Sequence, residues 1–267
     1  MIMKKFLTLL MALVMSLSFG MVASACDEKK TDDNTNTSTP ADDGSTDDTG
    51  SSGNNTDNTG GDNENVGSEV TDQEWNAAIQ DVNFINVTIL QTSTGTAVQT
   101  IDATQTFNMT MDQTRTLKFT ETAIYIHEDS TVTNTDNGDV RPVDLHEYST
   151  ESEETSLEDL RALYTDLFLA ILAKKADFTY NAELGAYTLN QTVTINKQQS
   201  NSTVTEQVSN GKAVFDANGV LISFSCDLIE SVTNDHMSIV EDIDMTWTFS
   251  NYGATAITQA EIDAANA

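Results

Sequence analysis

The sequence predicts a mainly β (α+β) domain: a curved antiparallel sheet or half-barrel of about eight strands, with one long helix packed on its concave face. Three observations carry this expectation. Apolar and polar residues alternate in run after run from Ile85 onward. Clusters of Asp, Asn, Gly, Ser and Thr separate those runs as turns do. One segment alone, between Thr155 and Lys175, carries a sustained helical period.

The elements follow in order over a single β-rich domain, 71–267. Thr71 and Glu74 have capping-box spacing, and Trp75, Ala78 and Ile79 share the face of a short helix. Ile85, Val87 and Ile89 alternate as a first strand, and Thr92 to Gly95 reads as a hairpin turn. Ala97 to Met111 then forms a second strand and Leu117 to Ile126 a third. A polar loop is expected from about Glu128 to Glu154. The long helix spans 156–175, with Thr155 to Glu158 as its cap, Leu157, Leu160, Leu163, Tyr164, Leu167, Phe168, Ile171 and Leu172 in one stripe and Lys174 and Lys175 at its C-terminus.

The rest returns to β. Tyr187, Leu189, Val193 and Ile195 alternate, and Val204 and Val208 mark a more exposed strand. Asp216 to Gly219 is a hairpin turn, because Asn-Gly accepts positive φ. Val220, Ile222, Phe224, Cys226 and Leu228 form the next strand. Met237, Ile239, Ile243, Met245, Trp247 and Phe249 form the last, with Glu241 interrupting their inward row. Glu241 marks either a bulge or edge, or a buried charge that meets a ligand.

Eight strands at about 4.8 Å spacing make a sheet roughly 38 Å wide. A helix is about 10–12 Å across, so one helix leaves much of an apolar face uncovered. The sheet then curls around a cavity for an apolar ligand, or bulky side chains fill the space. The candidate lining is Phe107, Met109, Met111, Leu167, Ile171, Phe224, Met245 and Trp247.

The N-terminus addresses the chain. Lys4 and Lys5, an apolar run from Phe6 to Val22, and Ala23, Ser24 and Ala25 before Cys26 make residues 1–25 a signal peptide. Two cuts fit: ordinary signal peptidase after Ala25, or a lipobox cut that leaves a lipid on Cys26. Residues 26–70 form an acidic linker rich in Asp, Asn, Thr, Ser and Gly, expected to stay disordered for want of apolar surface. A spacer is useful when its end is fixed, which favours lipid on Cys26 and a membrane partner through that lipid. Localisation is therefore expected at the outer face or periplasmic side of a bacterial cell membrane.

The net charge of −30 argues against nucleic acid and anionic lipid headgroups as partners. The chain is expected to be a monomer, with an apolar small molecule or lipid as its ligand. Cys226 would be a buried thiol without a disulfide partner.

No catalytic residue, metal site or cofactor is expected. His127-Glu128 and His146-Glu147 begin like HExxH, but Thr131 and Thr150 stand at the second His position. His236 sits alone on a turn, and three scattered histidines lack metal-ligand spacing. The nucleophile-elbow and P-loop patterns are missing too.

The start at Cys26, Phe168 to Leu172 leading into Asp177 to Tyr180 and Tyr187, the hairpin Val214 to Leu221 and the ending Trp247 to Gly253 resemble, in layout, bacterial lipoproteins of the LolA/LppX/LprG-like half-barrel group. The resemblance implies a curved sheet closed by helices over a lipid-binding cavity, without chemistry. A cell-surface structural or protein-interaction module with a filled core is the alternative.

Overall fold

Ten antiparallel strands form one open sheet in the computed structural model, which describes residues 67–267 apart from 81–83, 103 and 200. The expected signal peptide, Cys26 and most of the acidic linker lie outside the described residues. The described residues belong to one compact unit, Glu64–Ala267.

The strands are β1 (Val87–Ile101), β2 (Gln105–Phe119), β3 (Ala123–Asn134), β4 (Val140–Thr150), β5 (Phe178–Asn181), β6 (Ala186–Leu189), β7 (Val193–Gln199), β8 (Ser202–Phe215), β9 (Leu221–Thr233) and β10 (Met237–Ser250). Their order is β4-β3-β2-β1-β10-β9-β8-β6-β5, with β7 on the β6 side of β8. The first and last strands therefore meet at the centre, and the sheet ends separately at β4 and β5. It does not close as a half-barrel. The mainly β, antiparallel prediction holds at ten strands.

The extra strands come from places where turn-like or polar sequence lies inside the sheet. Thr92 to Gly95 is not a hairpin: Thr94 pairs with Asp112 on β2 and Asp244 on β10. Thr and Ser suit a pleated surface, and Gly95 serves close approach of strands rather than a turn. A Cβ there would lie 2.1 Å from the Asp242 carbonyl oxygen. The expected second strand, Ala97 to Met111, bends back after Ile101, and the third breaks at Thr120, whose amide donates to the Ala123 carbonyl. The expected loop 128–154 is mostly hairpin, with Asn134 to Asp139 turning β3 into β4. Pro142 is tolerated there because β4 is an edge strand. The turn at Asp216 forms as expected: Asp216 Oδ1 accepts from the Asn218 and Val220 amides, and Gly219 has φ +76°.

Among the described residues three α-helices pack against this sheet: α1 (Asp72–Ile79), α2 (Leu157–Leu172) and α3 (Gln259–Ala265). The Thr71–Glu74 capping box closes α1 and buries Trp75 and Ala78. Ser156, one residue after the expected Thr155, caps α2, its hydroxyl accepting from the Asp159 amide at 3.2 Å. Lys174 and Lys175 lie beyond the helix, and Lys175 pairs with Asp72 of α1 at 2.9 Å. A second capping box, Thr258 with Glu261, begins α3, which packs on β4.

The contacts of α2 show that it crosses the strands. Near its start, Arg161 donates to the Thr120 carbonyl beyond β2. In its middle, Phe168 meets Trp247 and Phe249 of β10, with ring centroids 5.7 and 5.3 Å apart. At its end, the Leu172 carbonyl accepts from the Trp75 indole at 2.9 Å, and Trp75 packs on Phe178, Tyr187 and Phe215. Sixteen residues thus serve the width of the sheet rather than the length of a strand. A strand of 15 residues such as β1 runs to about 50 Å. A helix about 10–12 Å thick covers only a fraction of that.

Residues 67–70, placed with the linker by composition, are tied to the sheet. Tyr187 Oη donates to the Val70 carbonyl and accepts from its amide, both at 2.8 Å, and Ser68 donates to the Phe215 carbonyl.

Candidate functional site

The face toward α2 carries the candidate site, and register lays it out in rows across the strands. One row runs Glu128, Arg115, Gln91, Trp247, Phe224, Ala213, Tyr187, Tyr180. A second, four residues along β10 or β9, runs Met111, Gly95, Ile243, Leu228, Val208, Val193. The next runs Asn134, Met109, Ala97, Glu241, Glu230, Glu206, Ile195.

The candidate lining divides between the two ends of this face. Phe224 and Trp247, 0% and 2% exposed, stack at 5.6 Å with 19° between planes. Ile171 is 1% exposed on α2, and Leu167 is half-buried on the same helix. These belong to the core beneath the helix, where Phe84, Phe168 and Phe249 complete an aromatic cluster. Phe107, Met109, Met111 and Met245 lie farther along the strands. Of these, Met109 is buried and the others half-buried. From sequence alone the six strand residues are expected to line one cavity, with Leu167 and Ile171 on the helix as wall or lid, because alternation gives the face of a strand residue but not its position along the sheet.

The helix end also holds a polar network invisible to hydropathy, in the same row as Trp247 and Phe224. Arg115 donates to Glu128 Oε2 through Nε at 3.2 Å and Nη2 at 2.7 Å. Gln113 and Ser130 donate to Glu128 Oε1 at 2.8 and 3.2 Å. Arg115 also lies 5.5 Å from the centre of the Tyr164 ring on α2. Burial raises the Glu128 pKa, but Arg115 and the donated hydrogen bonds outweigh it and hold the carboxyl below its ordinary value. Burial lifts the Tyr164 hydroxyl to about 12.

The far end contains the opposite arrangement. Glu241 is neither a bulge nor an edge residue: it sits in register, facing Glu230 on β9, which in turn faces Glu206 on β8. Like charges directly opposite destabilise a sheet. Only Glu206 has a cation among the described ion pairs, Lys197 at 2.8 Å, and its Oε2 is buried without a hydrogen-bond partner. Burial, with Glu241 and Glu206 nearby, pushes Glu230 up to about 7. Burial also raises Glu241. At neutral pH this row therefore shares fewer charges than carboxylates. It suits a neutral or cationic group and opposes an anionic one.

Cys226 is buried, as expected, and burial pushes its thiol up to about 12, away from nucleophilic use. On the other face of the sheet, His127 stands directly opposite His146, and Asp144 lies beside both. These are the described residues positioned to hold a metal ion. Their spacing along the chain gave no sign of it, because an antiparallel hairpin pairs distant positions.

No protein-family model matches this chain, and no curated protein matches it.

Proposed function

We propose that this protein is a membrane-tethered, non-catalytic binding protein of the bacterial cell envelope. In this reading Cys26 carries the lipid anchor, and the part of the sheet face beyond α2 takes an apolar ligand. The observation that supports it is the row structure of that face: Phe107, Met111 and Met245 are half-buried beside Met109, Ile239 and Ile243. Methionine lines adaptable surfaces well because its side chain is flexible and polarizable. The half-barrel likeness belongs to this proposal as a layout.

The carboxylate row narrows the ligand. An ionised fatty acid or phospholipid phosphate would meet Glu206, Glu230 and Glu241, so a neutral or cationic amphiphile fits better. Native mass spectrometry of the full chain in mild detergent tests this. A co-purifying neutral or amine-bearing lipid, lost in Met245→Asp while the melting temperature holds, is the expected result. A clean apo mass, with no displacement of a neutral fluorescent lipid probe, removes the reading.

The second reading is a surface interaction module with a filled core. The close aromatic packing of Trp75, Phe168, Phe224 and Trp247 favours it, since this end of the face is already full. It predicts that substitutions on the β3–β4 hairpin disturb function more than Met245→Asp does.

A further inference from the structure

We propose that His127, His146 and Asp144, on the face of the β3–β4 hairpin turned away from α2, form a binding site for a divalent late transition-metal ion such as Zn²⁺. This does not depend on the ligand reading of the opposite face. His127 and His146 are direct cross-strand partners, and Asp144 lies two residues before His146 on the same strand. All three side chains therefore project from one face of a rigid hairpin.

The donor geometry carries the inference. His127 Nε2 and His146 Nε2 both converge on Asp144 Oδ1, at 3.0 and 3.4 Å. All three ligand atoms lie within 4.8 Å of one another. Metal–ligand bonds of about 2.05 Å give a tetrahedral edge of about 3.3 Å between neighbouring ligand atoms. The two nitrogen–oxygen separations already bracket that edge. The imidazole rings stack 4.2 Å apart with 7° between planes, so their lone pairs run parallel, and holding one ion requires the two rings to swing out of the stack toward a common point.

The partner behind His146 permits the required tautomer. Its Nδ1 lies 2.7 Å from Tyr125 Oη. A metal at Nε2 forces the proton onto Nδ1, which must then donate. A tyrosine hydroxyl accepts as readily as it donates, so this hydrogen bond survives metal binding and fixes the ring as outer-shell partners do. Tyr125 is itself 3% exposed, which makes it a firm support. Two imidazoles favour zinc, copper or nickel over calcium or magnesium, which prefer all-oxygen sites. Three protein ligands leave a coordination position for water or a partner's side chain.

Isothermal titration of the full chain, purified without a histidine tag, tests the proposal. One equivalent of Zn²⁺ is expected to bind, and Ca²⁺ not to compete. His127→Ala and His146→Ala each weaken binding by about tenfold or more, and Tyr125→Phe by a smaller factor. His236→Ala, remote on another turn, leaves it unchanged. Independently of any variant's folding, the Cu²⁺-loaded wild type should show electron paramagnetic resonance hyperfine structure from two nitrogens. Zn²⁺ binding unchanged in the His127→Ala/His146→Ala variant, a Cu²⁺ spectrum with oxygen ligands only, or no binding at millimolar Zn²⁺ would each overturn it.

Discussion

The two ends of one sheet face treat inward carboxylates in opposite ways. At the helix end, Glu128 has Arg115, Gln113 and Ser130 as donors, and its carboxyl is held below the ordinary range. At the far end, Glu230 faces two other glutamates and is pushed up to about 7. The contrast teaches that burial alone does not set a carboxyl's charge; the neighbours across the strands do. It also separates a charge-compensated region from one where like charges face each other.

The largest test removes the cation from the stable end. Arg115→Met leaves Glu128 buried and unpaired, and should lower unfolding free energy by about 3–5 kcal/mol in urea titration. Adding Glu128→Leu should restore most of the loss. A mild single substitution would show that the pair is solvated and the contrast false.

Packing gives the next test. Phe168→Ala, on the buried side of α2, should cost about 3–5 kcal/mol, whereas Met111→Ala at the far end should cost clearly less because the site is half-buried. Equal losses would mean that both ends are filled cores.

Gly95 sits between the ends, where β1 approaches β10. Gly95→Ala should cost about 1–3 kcal/mol, since the added methyl meets the Asp242 carbonyl. A neutral result would return Thr92 to Gly95 to the turn that their composition suggests.

The smallest effect is a pH slope, and its sign differs between the ends. Glu230 has a folded pKa of about 7, above its ordinary 4.5. The folded protein therefore holds the extra proton between those values. That stability is complete below the ordinary value and is lost as pH rises through the folded one. Glu128 is lowered, so its contribution is present above the ordinary carboxylate value and is lost as pH falls through its own folded pKa. Glu230→Gln should flatten the fall in melting temperature between about pH 5 and 7.5 and leave the acid limb intact. An unchanged slope in Glu230→Gln would place the titration elsewhere.

Much of the fold is legible in the residues. The Thr71–Glu74 capping box, the stripe of α2, the turn at Asp216 and the inward phase of Met245, Trp247 and Phe249 all form from local chemistry. Alternation fails where inward residues are polar. Glu128, Ser130 and Glu147 hid β3 and β4 inside an apparent loop, because period two is visible only when one face is apolar. The α3 capping box, Thr258 and Glu261, was readable and is the plainest missed signal.

From residues alone come the mainly antiparallel β character of the described domain and the direction in which most side chains point. Tertiary structure alone decided what stands opposite what. It set Glu206, Glu230 and Glu241 in one row, joined Arg115 to Glu128, and brought His127 beside His146. The physical reason is that side-chain direction follows from each strand's own pleat, whereas register follows from the turns and the central pairing of β1 with β10.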